Sequence, residues 1–307
     1  MAGGAKMKRV CLEILLGVIL IAGPGTGWAQ EKAGGAGILT VIDGAGKEIQ
    51  LKNWRFTNGT RSLNPTGKGK TGGEFLEFRE DKSTAYQNGI LTLVPLASIR
   101  TIDYDASKKA VTLTVLGPTG KDIVLTGTTK YIGINKIQVQ GERDLGEIGV
   151  GTVKFQGGDP KNPKNIHGLR FPSPKPTAAV AGKPATILAR DKEKTVHKVW
   201  HVLPLYQAKG DAARPVPILW FKATVKIDMD KIKSLRHIPP ENKKQTDHDF
   251  EVTLRDGKQH NLTLLEKINL DDSKPAQLLG LLARVPAGYK LFPAHTIAEA
   301  RWEDGNE

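Results

Sequence analysis

Few side chains in this sequence have the type and spacing to do chemistry. Two imidazoles stand four residues apart in His197-Lys198-Val199-Trp200-His201, the spacing by which a helix turns two ligands toward one zinc ion. Lys198 occupies the place where such a helix carries its glutamate base, and Thr195 to Leu203 is rich in β-branched and aromatic residues. The segment therefore reads as a strand. On a strand, residues four apart share a face but lie about 13 Å from each other, too far for one ion with bonds of about 2 Å. Asp247-His248-Asp249 sets three potential ligands side by side, and Asp103/Asp105, Asp228/Asp230 and Asp271/Asp272 are further acidic pairs. None shows the regular oxygen spacing, glycine turn and bidentate glutamate of a calcium loop. Paired carboxylates hydrolyse glycosides when they face each other across a bond, which close neighbours on one strand do not. His197, His201, Asp247, His248 and Asp249 are the metal-site candidates, and turn or surface positions are the ordinary use of such aspartates.

Gly69-Lys70-Thr71 ends like a phosphate-binding loop, but Asn64 stands where that loop begins with glycine, and Gly72-Gly73 is a poor helix start. Nucleotide binding is not expected. There is no Gly-x-Ser-x-Gly elbow. No catalytic residue is named by these patterns and no cofactor is called for. The single cysteine, Cys11, lies in an N-terminal segment with Lys6, Lys8 and Arg9 before an apolar run from Ile14 to Gly23 and small residues at Gly27 and Ala29. That is the layout of a secretory signal peptide over residues 1–29, and its apolar run is too short to span a membrane. The remaining 278 residues contain no cysteine, so disulfides, thiolate metal sites and cysteine nucleophiles are excluded. The formal charge of +13 for the whole chain becomes +11 without the leader, spread as +6 over residues 30–170 and +5 over 171–307. A basic surface attracts anionic polymers, although here the charge is not gathered into an arm or block.

The elements that must position these residues announce themselves by repetition. Ile99-x-x-Ile102-x-Tyr104, Ile166-x-x-Leu169-x-Phe171, Ile232-x-x-Leu235-x-His237 and Ile297-x-x-Ala300-x-Trp302 share one pattern, their first isoleucines 67, 66 and 65 residues apart. A fixed period of this size marks one structural unit repeated. Gly-Lys-x-x-x-Leu recurs at Gly46, Gly120 and Gly257, with Gly182-Lys183 as a degenerate fourth copy. Alternating runs such as Val111-Thr-Leu-Thr-Val115 and Val252-Thr-Leu254 lead into the glycines as hairpin strands, and these two runs align with each other. Within the longer pattern a spacing of three suits a single 3₁₀ turn and a spacing of two suits a strand face. Pro95 and Pro293, four residues ahead, would start such a turn, and the closing rings read as core. Lys274 to Arg284 fits either a helix or a buried strand, and the repeat favours the strand.

Phe171 to Ala185 contains four prolines and reads as an extended linker. The fold expected is all-β: two tandem domains, residues 30–171 and 187–307, each of two units of about 66 residues forming a small barrel or sandwich, joined by a linker over 172–186. A Gly-Lys hairpin followed by a turn and a closing Ile-x-x-Φ-x-aromatic strand resembles SH3-like and Sm-like small barrels over about a third of the mature chain. The resemblance implies bent antiparallel sheets with binding surfaces in variable loops, and no particular ligand. The function expected is that of an exported, non-catalytic protein of the periplasm, cell envelope or extracellular space. It would bind an anionic polymer or an envelope protein. An envelope scaffold and a polysaccharide or peptide hydrolase are the alternatives. Specific activity is expected where copies differ, in Asn58–Gly73, Gln207–Pro217 and Pro239–Asp249.

Overall fold

A computed structural model describes residues 37–63, 73–79, 89–105, 110–128, 137–157, 162, 164–190, 194–240, 247–270 and 274–303. The leader, Gly69-Lys70-Thr71 and Asp271-Asp272 lie outside the described residues. The first half contributes β1 (Leu39–Asp43), β2 (Glu48–Asn58), β3 (Thr60–Arg61), β4 (Phe75–Phe78), β5 (Leu91–Pro95), β6 (Ile99–Asp105), β7 (Ala110–Leu116), β8 (Asp122–Thr128), β9 (Gln138–Asp144), β10 (Val150–Gln156) and β11 (Ile166–Arg170). The second half contributes β12 (Pro184–Ala189), β13 (Val196–Ala208), β14 (Arg214–Pro215), β15 (Ile218–Trp220), β16 (Lys226–Asp228), β17 (Ile232–Ile238), β18 (Asp249–Leu254), β19 (Gln259–Thr263), β20 (Lys267–Leu270), β21 (Lys274–Val285), β22 (Gly288–Phe292) and β23 (Ile297–Trp302). The protein is all-β, and Lys274 to Arg284 lies in a strand, β21.

Eight antiparallel strands of the first half form one sheet in the order β10-β9-β2-β1-β11-β6-β7-β8. The second half repeats it strand for strand as β22-β21-β13-β12-β23-β17-β18-β19. Residues from β1, β2, β6, β7, β9 and β11 meet in a single apolar cluster, so the sheet curls around its own inner face. A second cluster draws its buried residues from 185–302 alone. Within each half the two closing strands pair with each other, β6 with β11 and β17 with β23, so the two units of a half interlock rather than closing separately.

The closing pattern has a different origin from the one its spacing suggests. Three-residue 3₁₀ turns do occur, over Leu96–Ser98, Met229–Lys231 and Ala294–Thr296, with Pro95 and Pro293 at two of their N-caps. They end before the first isoleucine and do not span Ile99 to Ile102. The spacing of three comes from a β-bulge. In all four copies the register slips by one residue just after the isoleucine, between Ile99 and Thr101, Ile166 and Gly168, Ile232 and Ser234, and Ile297 and Glu299. On a regular strand, residues three apart face opposite sides. One extra residue turns both inward. All eight apolar residues of the four copies are accordingly at most 3% exposed.

The bulged strand always lies against the first strand of a hairpin, and three of these hairpins share one turn. The N–H of Asp43, Gly117 and Leu254 donates to the carbonyl of Lys47, Lys121 and Lys258, while Gly46, Gly120 and Gly257 donate back at positive φ. This is a three-residue hairpin loop whose last position needs the left-handed conformation glycine tolerates. Gly182-Lys183 is not the fourth copy: the matching turn joins β12 to β13, closed by the Ala189 N–H donating to the Thr195 carbonyl. Register also corrects the alignment of the halves, because Leu113 faces Ile102 as Val252 faces Leu235. Leu113 therefore matches Val252, and Val111 matches Phe250.

One element breaks the duplication. The β4–β5 hairpin and the β15–β16 hairpin occupy the same place, each followed by a 3₁₀ turn whose first N–H, Leu96 or Met229, donates to the carbonyl of Glu74 or Pro217. Yet β5 pairs across the molecule with β22, while among the described strands β16 pairs only with β15. The composition explains this. Leu91, Thr92, Leu93 and Val94 are all buried: Val94 joins the first-half core, and Leu91 and Leu93 meet Leu205, Ala213, Leu282 and Leu291. Lys226-Ile227-Asp228 buries only Ile227, so its other face stays in water. The proline-rich segment is also fixed rather than loose. Lys175 donates its N–H to Ala97, and buried Thr177 donates its N–H to Leu116 of the first half and its hydroxyl to Pro286 of the second, at 2.9 and 2.7 Å.

Candidate functional site

The histidines four residues apart lie on β13 and do not converge. His197 packs its ring edge-on against Phe292, centroids 5.2 Å apart, while His201 is exposed and accepts a left-handed φ of +48°. It sits in a bulge where the register slips between Trp200 and Leu203. Asn53 occupies the same bulge of β2 with φ +47°. Asparagine and histidine are among the non-glycine residues most often found there, so His201 bends a strand. Although the residue is largely solvent-accessible, the protein packed around its ring partly desolvates it, and this first, then the Arg284 guanidinium, lowers its pKa.

Asp247-His248-Asp249, in contrast, enters β18 within a constellation of polar rings. His237 ends the third copy on β17, His248 precedes β18, and His295 lies in the 3₁₀ turn before β23. The ring centroids of His237 and His248 are 6.2 Å apart, and those of His248 and His295 6.3 Å apart. Arg190, just past β12, holds its Nη1 2.9 Å from His237 Nε2. A guanidinium only donates, so this nitrogen of His237 is the acceptor of a neutral imidazole, with its proton on Nδ1. His237 also rests edge-on against buried Phe250, at 5.5 Å. Burial first, then Arg190 and His248, hold its pKa down to about 4, against an opposing pull from Asp249. Burial, His248 and Arg190 lower His295 as well.

The carboxylates at this place are already engaged. Asp247 pairs with Lys222 Nζ at 2.6 Å, Asp249 accepts from the Thr263 hydroxyl at 2.6 Å, and Glu266 Oε1 lies 3.4 Å from His248 Nε2. Among the described residues no group of three or more His, Cys, Asp or Glu side chains is placed to hold a metal ion. His197, His201 and the Asp247–Asp249 run are therefore not gathered into one ligand set. A cavity of about 10 Å³ in the second core is lined by apolar groups, among them Leu219, Phe221, Leu235 and Phe250.

Two of the four closing rings are core, as their period implies. Phe171 packs against Trp54 and Phe56 at 5.8 and 6.1 Å, and Trp302 is buried. The other two are half-buried and meet polar partners: Tyr104 lies edge-on to His167 at 5.2 Å, and His237 belongs to the imidazole row. The signal in the sequence was that His237 is the one titratable imidazole among three aromatic rings. Arg190, Glu266 and His295 carried no signal, because only the pairing of β12, β17, β18 and β23 brings them together. No helix among the described residues is long and apolar enough to cross a membrane. No protein-family model matches the chain, and no curated protein is significantly similar to it.

Proposed function

We propose that the protein is an exported, non-catalytic binding protein that engages an anionic polymer of the cell envelope or extracellular space. The contact lies at the end of the second sheet where Arg190, His237, His248 and His295 line up. The observation that carries this reading is the Arg190–His237 contact at 2.9 Å, with His248 6.2 Å from His237 and His295 6.3 Å from His248. The three imidazoles are half-buried, and Arg190 beside them is exposed. The charge of the imidazoles is latent, because burial and the neighbouring Arg190 and His248 keep the His237 and His295 rings neutral at pH 7. An anion laid along the row offsets both effects, so binding takes up protons and strengthens as the pH falls. The even basic charge of the chain adds a general attraction.

The test is binding of dextran sulfate, a defined polyanion, followed by calorimetry at about pH 5.5 and 7.5 and across about 50 to 200 mM salt. Binding is expected to be tighter at the lower pH, to weaken with salt and to fall in Arg190→Ala. Affinity that ignores salt and is unchanged in Arg190→Ala ends this reading.

A further inference from the structure

β10 is the outer strand of the first sheet and pairs only with β9 among the described strands. Its counterpart in the second sheet, β22, is covered on that same edge by β5, in antiparallel register from Tyr289–Leu93 to Leu291–Leu91. The duplicated fold thus shows within one chain what this edge accepts, and no described strand covers the first-half edge. The opposite edges do not give this contrast, because neither β8 nor β19 has a further neighbour among the described strands.

The open edge is apolar at one end. Leu145, Ile148 and Val150, at the β9–β10 turn, are three of the six exposed large apolar residues among those described, and Ile148 is 87% exposed. Along β10, Val150, Thr152, Lys154 and Gln156 are exposed, while Gly151, Val153 and Phe155 are half-buried, with Val153 and Phe155 resting on the first core. Lys154 is the strand's only charge, and it has no proline or bulge: the usual guards of an exposed edge are nearly absent.

We infer that β10 is a self-association edge, pairing antiparallel with β10 of a second copy about a two-fold axis at Val153. This register uses all seven residues of the strand. It sets Lys154 against Thr152, so that no like charges face each other, and Phe155 against Gly151. Leu145 already fills the space over Gly151, where an added Cβ would lie 2.6 Å from its Cδ1, so the facing Phe155 ring would rest on Leu145 as a cross-strand apolar pair. Shifting to the register that pairs Lys154 with Lys154 opposes two cations. The second copy is the occupant the strand itself specifies, because its own sequence is complementary to itself in this one full-length register and two-fold pairing is the commonest closed arrangement. This inference does not depend on polymer binding.

The experiment is sedimentation equilibrium of the purified protein with three variants. Wild type is expected to show reversible, concentration-dependent dimers. Thr152→Lys alters an exposed side chain and places lysine opposite Lys154 twice per dimer, so association should weaken by roughly tenfold or more. The double variant Thr152→Lys/Lys154→Glu should restore it. Val153→Cys in a Cys11→Ser background should oxidise to a disulfide-linked dimer, since facing Cα atoms in antiparallel strands are within disulfide reach. A wild type that stays monomeric to about 1 mM overturns the inference. So does a dimer that is indifferent to Thr152→Lys, or one that forms without Val153→Cys cross-linking.

Discussion

Replacing His237 by glutamine keeps an acceptor for Arg190 but removes a titrating ring, and the consequence can be worked out. His237 has a folded-state pKa of about 4 against an ordinary value of 6.5. Above pH 6.5 neither the folded nor the unfolded chain protonates it, and its neutral form contributes in full. Between pH 6.5 and 4 the unfolded chain takes up a proton that the folded chain refuses, so stability falls as the pH falls. At 1.36 kcal/mol per pKa unit the full shift corresponds to about 3.4 kcal/mol. The ring is half exposed, and solvent screening brings this to about 1–2 kcal/mol. Urea unfolding at about pH 7 and 4.5 measures it. Wild type should lose about 1–2 kcal/mol more than His237→Gln over that interval. His201 and His295 are also shifted downward and titrate in both proteins, so they cancel in the comparison. Equal losses in the two proteins would refute the neutral, guanidinium-held imidazole.

Two further outcomes test the frame that holds this ring. Ile102→Ala removes a fully buried side chain that the bulge turns inward and should cost about 2–4 kcal/mol in urea unfolding, whereas Arg100→Ala, an exposed partner of Asp122, should cost under about 1 kcal/mol. Gly288→Ala places a Cβ 2.4 Å from the Leu93 carbonyl at φ +132°, so amide exchange at Leu91 and Leu93 should rise well above that of the core strands, and unchanged protection there would count against the β5–β22 junction.

The sequence carried the repeat but not its mechanics. Ile99-x-x-Ile102 is a core pair in either reading, because a 3₁₀ turn and a bulged strand both bring residues three apart to one side. Only pairing to a neighbour tells them apart, and the neighbour of the second and fourth copies comes from strands more than a hundred residues earlier in the chain. The Gly-Lys turns were legible because the left-handed residue and its neighbours are local. The imidazole row was not, since Arg190, His237, His248 and His295 are brought together by the order of strands and by no spacing along the chain. His197 and His201 misled for the converse reason: their spacing was local, but their strand sends one ring to Phe292 and bends the backbone at the other.

The duplication itself separates what the fold needs from what is left over. Bulges, glycine turns and the eight buried closing residues recur because curling a sheet around its own core demands them. The bend at Asn53 recurs at His201, which removes that histidine from the list of unexplained polar residues. What does not recur falls in two places. Tyr104 in the first half becomes His237 in the second, and with it appears a row of three imidazoles and a guanidinium. The two-faced apolar strand Leu91–Pro95 becomes the one-faced strand Lys226–Asp228, and with it one sheet edge is covered and its twin is left open. A change that costs the core nothing and yet alters charge or exposes pairing groups is not required by folding. The imidazole row and the β10 edge are therefore the two surfaces on which function is to be sought, and they lie in different halves of the chain, so each can be altered without touching the other.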